Sequence, residues 1–296
     1  MTIASEITRI NTNIENAYTA CNGKGATMPV TQNSANLANC ISSIPAGSTA
    51  GQTRTVENGV YTMPTNNFTF VMPSNATDIG DNALADTFNW CSGVIGADFS
   101  SLITLSGENA LLECFRNCRN LTSVDFSNLT TISGLETLLN AFLGCSGLIN
   151  LDFSSLVTIS GDSALYSTFW GCSGLTSVDF SSLTTVSGGW ALETAFLECA
   201  SLTNIEFTSL TNLTGSGVLM SAFYDCSSLA TLSFPALTST SFGLYNDQFT
   251  DMLSNVENCT VHFPSNLQSV IGSWFDVTTG FGGTNTTVLF DLPATT

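Results

Sequence analysis

The sequence is poor in basic residues and in histidine. Its 296 residues contain 5 Lys and Arg against 23 Asp and Glu, which gives a formal net charge of −18 at pH 7. So negative a chain is repelled by phosphate backbones and anionic lipids, and nucleic acid and lipid surfaces are therefore not expected partners. The single histidine, His262, leaves no second imidazole for a histidine-based metal site or a proton relay.

Two kinds of hydrophobic segment are also missing from the sequence. No apolar run approaches the ~20 residues that span a bilayer, so we expect no membrane insertion. The opening MTIASEITRINTNIENAYTAC has no basic region followed by an apolar stretch, and is therefore not expected to be a secretory signal peptide. Synthesis and folding in a reducing cytoplasm are expected.

Cysteine recurs every 27 residues through the middle of the chain, without insertion or deletion. The six positions are Cys91, Cys118, Cys145, Cys172, Cys199 and Cys226. A period of about 20 to 29 residues with repeated apolar positions is typical of leucine-rich-repeat solenoids. We therefore predict a column of buried, reduced thiols beside a column of phenylalanines, and not a disulfide framework.

Each 27-residue unit divides into three parts. Alternation around Val178 and Phe180 predicts a short strand that points these two side chains inward. Gly188 recurs with the same period and predicts a turn that needs positive φ or close backbone approach. The segment ALETAFLEC, with Leu192 and Phe196 four residues apart, predicts about two helical turns. The predicted fold is an α/β repeat solenoid, right-handed, with short parallel strands on one face and helices on the other.

The pattern A-F-x-x-C-x-x-L resembles the BspA-like subclass of leucine-rich repeats. The segments AFLGCSGL at 141–148 and AFLECASL at 195–202 carry this resemblance, which covers about residues 76–247. We divide the chain into a helical attachment segment (1–46), a linker and N-terminal cap (47–87), the repeats (88–247) and a C-terminal cap (248–296). The sequence FDVTTGFGGTNTTVLFDL in this last segment predicts a glycine-turn hairpin.

The N-terminal segment carries a separate apolar pattern. Ile3, Ile7, Ile10 and Ile14 follow the 4-3-4 spacing of a coiled-coil seam, and isoleucine at both core positions favours a homotrimer. An amphipathic hairpin that packs only on itself remains the alternative. The segments SEI-x-RI and NLA-x-x-I are similar to N-terminal segments of phage and prophage tail-associated proteins, which implies attachment to other virion or tail proteins.

A column of carboxylates is predicted on the outward face of the strands. It consists of Asp98, Asp125, Asp152, Asp179 and Glu206. The column either keeps the sheet soluble or binds a divalent cation or a cationic ligand; calcium is the only cofactor considered. A glycosidase pair is not expected, because repetition provides no distinct acid and nucleophile environments.

A second set of candidate residues occupies positions where the repeats differ from one another. These candidates are Trp90, Arg116, Trp170, Trp190 and Tyr224. Exposed aromatic side chains can stack on a sugar or anchor a protein partner. The alternative for each is partial burial between the predicted helices.

These features together predict a recognition protein and not an enzyme, since the strict period leaves no interrupting cleft in residues 88–234. The predicted role is a phage virion-associated adhesin or tail-fibre component, made in the host cytoplasm, that binds a host cell-surface glycan or protein. A bacterial cell-surface BspA-like adhesin is the alternative.

Overall fold

The computed structural model describes residues 55–57, 60–62, 67–72, 74–238, 247–274 and 281–295. The predictions for residues 1–46, including the isoleucine seam, lie outside them. No helix in these ranges is long and apolar enough to cross a membrane.

Parallel strands recur at one position in every coil. After a short antiparallel pair, β1 (Thr55–Glu57) and β2 (Val60–Thr62), the first series comprises β3 (Phe68–Val71), β4 (Val94–Asp98), β6 (Ser123–Asp125), β8 (Asn150–Asp152), β10 (Ser177–Asp179), β12 (Asn204–Glu206), β14 (Thr231–Ser233), β15 (Thr260–Pro264) and β16 (Thr287–Leu292). Residues 27 apart pair in register, as Val178 does with Leu151. The outward side of this series is called the strand face.

A second series of two-residue strands follows in each coil. It comprises β5 (Thr104–Leu105), β7 (Thr131–Ile132), β9 (Thr158–Ile159), β11 (Thr185–Val186) and β13 (Asn212–Leu213), which pair in parallel. The coil then passes through a recurrent glycine, at which the backbones of neighbouring coils touch. A Cβ at Gly161 would overlap the carbonyl oxygen of Gly134. Close approach is therefore what these glycines provide.

The third side of each coil is built from turns, and the prediction of helices there is wrong. Residues 81–90, 108–117, 135–144, 162–171, 189–198 and 216–225 are turns. Among the described residues the only α-helix is α1 (Gln268–Trp274), which follows the 3-10 helix Ser265–Leu267. The outward side of these six runs is called the turn face.

Hydrogen bonding between coils explains why turns replace the predicted helix. Along each run, amides alternate between a carbonyl three residues back and a carbonyl in the next coil. Thr168 N donates to Leu165 O at 3.2 Å, whereas Phe169 N donates to Ala195 O at 2.8 Å. A helix would place both bonds within one coil. The turns instead stitch the coils together.

Left-handed residues recur every four positions in these runs. In the second coil they are Asn109, Glu113 and Asn117, with φ of 53°, 51° and 58°. The result is a period of four in which two residues point inward and two outward. Over ten residues this period is hard to distinguish from the 3.6 residues of a helix, since four residues differ from a full helical turn by only about 40°.

Two phenylalanine columns fill the core. Phe99, Phe126 and Phe153 begin the column behind the strands, with ring centroids 4.9 and 5.3 Å apart and nearly parallel planes. Phe142 and Phe169 belong to the column behind the turns, 5.6 Å apart. The columns meet edge to face, as Phe126 does with Phe142 at 6.2 Å. Such geometry adds to the free energy gained by burying the rings.

The C-terminal segment continues the solenoid. Strand β16 pairs in parallel with β15, so the hairpin predicted for FDVTTGFGGTNTTVLFDL is wrong. The register between β14 and β15 joins Thr231 to Thr260, a separation of 29 residues instead of 27. In this later coil Val256 takes the cysteine position, since its N–H bonds to Leu253 O as Cys226 N–H bonds to Phe223 O.

Candidate functional site

The predicted carboxylate column lies on the strand face. Asp125 pairs with Asp152 and Asp152 pairs with Asp179 in the parallel sheet, and all three are exposed. Asp98 is half-buried at one end, and the exposed Glu206 occupies the equivalent strand position beyond Asp179. Neighbouring carboxylates are therefore one strand spacing apart, about 4.8 Å between backbones.

The aspartates also have a local structural role. The Oδ1 of Asp125, Asp152 and Asp179 accepts a hydrogen bond from the backbone N–H of the serine two residues later, at 2.9, 2.9 and 2.8 Å. Asp98 accepts both the N–H and the hydroxyl of Ser100 in the same way. Each aspartate thus caps the turn that follows its own strand, and Oδ2 takes no part in this bond.

The column does not gather into a metal-binding cluster. Within the described ranges, no three His, Cys, Asp or Glu side chains group closely enough to hold a metal ion. Calcium takes six to eight oxygen ligands, and a single row of carboxylates one strand apart supplies few around any one point. The calcium prediction gains no support from this geometry.

An open groove of about 710 Å³ runs along the strand face. Its lining includes Asp152, Asp179 and Glu206 together with hydroxyl and amide side chains from neighbouring coils. Some of these polar groups are bonded to one another: the hydroxyl of Ser177 donates to Asn150 Oδ1 at 3.0 Å. The groove is therefore an ordered polar surface that repeats from coil to coil.

The five predicted binding residues all lie on the turn face. Trp90, Trp170 and Trp190 are exposed, at 63%, 38% and 47% respectively. The N–H of Trp90 bonds to the carbonyl oxygen of Arg116 in the next coil, which places these two residues side by side. Tyr224 is half-buried, and its hydroxyl accepts a hydrogen bond from Asn255 Nδ2 at 2.9 Å.

Arg116 is not free to bind a ligand anion. Its Nη1 forms an ion pair with Glu113 Oε1 at 2.9 Å, and the amide of Asn140 also approaches that carboxylate at 3.4 Å. The guanidinium is therefore committed to a network on its own surface.

Trp90 and Trp190 occupy unusual backbone positions, with φ of 62° and 52°. Bulky residues rarely adopt this left-handed region, because the side chain crowds the backbone. The Trp190 indole also lies against the next coil at Gly217, where a Cβ would come within 2.7 Å of Trp190 Cδ1. Gly217 therefore creates the space that holds this ring at the surface.

Sequence reasoning missed Glu193. This half-buried carboxylate lies on the turn face, and burial raises its pKa above the ordinary glutamate value. The same slot holds Tyr166 one coil earlier and Met220 one coil later. The available signal was a single acidic residue in an otherwise apolar outward column, which becomes visible only when the outward slots are known.

A comparison with protein families identifies the repeats. The description "BspA type Leucine rich repeat region" matches overlapping stretches at residues 55–191, 106–229 and 167–280, together well over half of the chain. The chain belongs to the BspA-type leucine-rich repeat family. This agrees with the stacked phenylalanines and cysteines of the A-F-x-x-C segments.

Other comparisons are more distant. The crystal structure of the leucine-rich repeat protein TpLRR from T. pallidum aligns with 75% of this chain and 87% of its own, at 16% identity and a TM-score of 0.33. No curated protein matches the sequence.

Proposed function

We propose that this BspA-type repeat protein is a non-enzymatic adhesin that recognises a cell-surface glycan or protein with its strand face. The observation that carries the proposal is the groove, which is lined by the outward side chains of consecutive coils. Side chains already held by hydrogen bonds lose little further freedom on binding, and this lowers the entropic cost of recognition. Repeated hydroxyl, amide and carboxylate groups suit a ligand rich in hydroxyl or amide groups.

The uniformity of the groove favours binding over catalysis. Asp125, Asp152 and Asp179 share one turn-capping arrangement. Acid–base catalysis by two carboxylates requires environments that separate their pKa values. An identical setting in each coil provides no such separation.

We further propose that the protein is a virion-associated adhesin or tail-fibre component of a phage. The similarity of the N-terminal segment to phage tail-associated segments supports this location. A bacterial cell surface is the second location, favoured by the family match, since proteins with BspA-type repeats are often surface-associated. Mass spectrometry of purified virions and of washed bacterial surfaces distinguishes the two.

Charge-removing substitutions test the binding surface. The double variant Asp152→Asn, Asp179→Asn keeps an oxygen that can accept the serine N–H, so the turns and the fold should survive. Binding of the full chain to cells that carry the ligand should fall about tenfold or more. A matched control, Asp162→Asn, makes the same change on the turn face, where Asp162 Oδ1 accepts Gly189 N–H. Unchanged binding by the double variant would refute recognition by the strand face, and loss of wild-type binding in EDTA would establish a divalent cation as mediator.

A further inference from the structure

The turn face carries an apolar surface on the side of the core away from the strand-face groove. Its outward slots hold two columns, four residues apart along the chain. One column contains Leu143, Trp170, Leu197 and Tyr224, and the other contains Tyr166 and Met220. We call these six residues the turn-face patch.

Backbone hydrogen bonds hold the columns in register. Gly171 N donates to Leu197 O at 2.8 Å, and Glu198 N donates to Tyr224 O at 2.8 Å. Successive members of a column therefore sit one coil apart, about 4.8 Å. All six side chains are half-buried or, for Trp170, exposed. Contiguous apolar surface of this kind on a soluble protein commonly marks an interaction site.

A lone carboxylate interrupts the patch. Glu193 lies between Tyr166 and Met220, because Ser167 N donates to Glu193 O and Thr194 N donates to Met220 O, both at 3.0 Å. No side chain among the described residues forms a hydrogen bond or an ion pair with this carboxylate. The sequence explains the lack of a cation, since no lysine or arginine occurs after Arg119.

Partial burial without a counter-charge is a cost that a partner could relieve. Apolar neighbours disfavour the charged form of Glu193, which is the cause of its raised pKa. A basic group placed against the carboxylate would restore the lost stabilisation in a site already shielded from water.

We propose that the turn-face patch is a docking surface for a partner protein that presents a lysine or arginine side chain flanked by apolar side chains. This goes beyond the proposed adhesin function, because it assigns a second surface on the other side of the core. Charge complementarity argues for a basic partner: Asp162 and Glu198, both exposed, add negative charge beside the patch.

A second copy of this chain fits the patch poorly. The protein carries 23 acidic residues against 5 basic ones. Two turn faces packed together would bring one Glu193 towards the carboxylates of the other copy, and like charges in an interface are unfavourable. The partner must therefore supply positive charge that this chain lacks.

A library of random twelve-residue peptides displayed on phage tests the proposal with the intact chain as bait. Selection should enrich peptides with at least one lysine or arginine next to tryptophan, leucine or phenylalanine. A synthetic peptide of the enriched sequence should bind to one site per chain by calorimetry. Replacing its basic residue with glutamine should weaken binding at least tenfold.

Matched variants locate the site. Glu193→Gln should weaken binding of the synthetic peptide at least tenfold, and Leu197→Ala should weaken it several-fold. Glu206→Gln makes the same charge change on the strand face and should leave affinity unchanged. Circular dichroism and the unfolding midpoint of Glu193→Gln should match the wild type, since the substitution keeps the side-chain volume.

Three results would overturn the proposal. The first is equal peptide affinity for wild type and Glu193→Gln, and the second is the absence of any enriched basic peptide. The third is a different occupant: self-association abolished by Leu197→Asp would assign the patch to a second copy, and glycan binding lost in Trp170→Ala would assign it to carbohydrate. Failure of the strand-face experiment leaves this test unaffected, because the two use different residues and different ligands.

Discussion

The thiol of Cys172 donates a hydrogen bond to the carbonyl oxygen of Phe142 in the preceding coil, with Sγ and O 3.1 Å apart. The same oxygen accepts the N–H of Cys145, in its own coil, at 3.0 Å. Equivalent thiol bonds of 3.0 to 3.2 Å join four further pairs of coils. The A-F-x-x-C segment is therefore a device that links coils: phenylalanine supplies the acceptor, and two cysteines, one in its own coil and one in the next, satisfy it.

Substitution of Cys172 tests the thiol bond. Cys172→Ala removes the donor and leaves a small cavity, and should lower the free energy of unfolding by about 1–3 kcal/mol. Cys172→Ser keeps a donor for Phe142 O and should cost less than Cys172→Ala. Denaturant unfolding of the full chain measures both. A serine variant as unstable as the alanine variant would mean that the thiol acts only as a space-filling group.

Alkaline pH should destabilise the protein through its buried thiols. Burial raises the pKa of Cys172 well above its ordinary value and that of Cys226 to about 12. Unfolded thiols ionise near pH 8.5, so the stabilising contribution is complete below that pH and is lost as the pH rises towards 12. Each thiol lowers the free energy of unfolding by up to about 1.4 kcal/mol per pH unit in this window.

Unfolding midpoints between pH 8 and 11 measure this loss. Cys226→Val should reduce the slope, because valine does not titrate and Val256 fills the equivalent position in the next coil. Equal slopes for this variant and the wild type would contradict a titrating ladder. Thiol reagents at pH 8 should label the ladder cysteines only after denaturant is added.

The contact between glycines of neighbouring coils can be tested with a matched pair. A Cβ at Gly161 would overlap Gly134 O, whereas a Cβ at Gly80 would meet nothing within 4 Å. Gly161→Ala should therefore separate two coils and cost more than about 3 kcal/mol, at the severe end of single substitutions. Gly80→Ala should change the free energy of unfolding by less than about 1 kcal/mol. Similar unfolding midpoints for the two variants would argue against the close backbone contact.

Gln248 is a buried amide that weakens the structure. It is fully buried, and its Nε2 and Oε1 have no hydrogen-bond partner in the part of the chain that is described. The preceding coil holds Val218 in the same slot, since Leu192 N bonds to Val218 O and Leu219 N bonds to Gln248 O. Gln248→Leu removes an unsatisfied polar group and should raise the free energy of unfolding by about 1–3 kcal/mol.

Thr137 provides the control in the same column. It is also fully buried, but its hydroxyl lies 2.7 Å from Gly134 O and 3.2 Å from Gly107 O. Thr137→Val should therefore lower the unfolding midpoint, opposite in sign to Gln248→Leu. If Gln248→Leu also lowered the midpoint, an internal water or a tight fit around the amide would be indicated.

The N-terminal isoleucine seam yields a prediction about assembly. If Ile3, Ile7, Ile10 and Ile14 form a coiled coil, deletion of residues 1–22 should convert a homo-oligomer, a trimer by the isoleucine pattern, into a monomer. Light scattering measures the mass, and circular dichroism checks that the repeats remain folded. A monomeric intact chain would exclude the coiled coil in isolation.

Periodicity alone was sufficient to identify the repeating coil. Positions 27 residues apart must stack, so an apolar residue in each copy marks an inward column, and Phe180 and Cys172 are both buried as predicted. The outward placement of Asp125 and Asp152 followed from strand alternation in the same way. These features depend on side-chain chemistry that repeats along the chain.

Other features depended on hydrogen bonds between coils. The segment around Leu192 and Phe196 has helix-forming residues and helix-like spacing, yet its amides bond alternately to the next coil and form turns. A segment that reads locally as a hairpin likewise became the parallel strand β16, because β15 offered a free edge. The isolation of Glu193 among apolar neighbours arose only when separate coils were stacked. Local sequence determined which residues face the core, and the partners supplied by neighbouring coils decided the backbone conformation and the composition of the turn face.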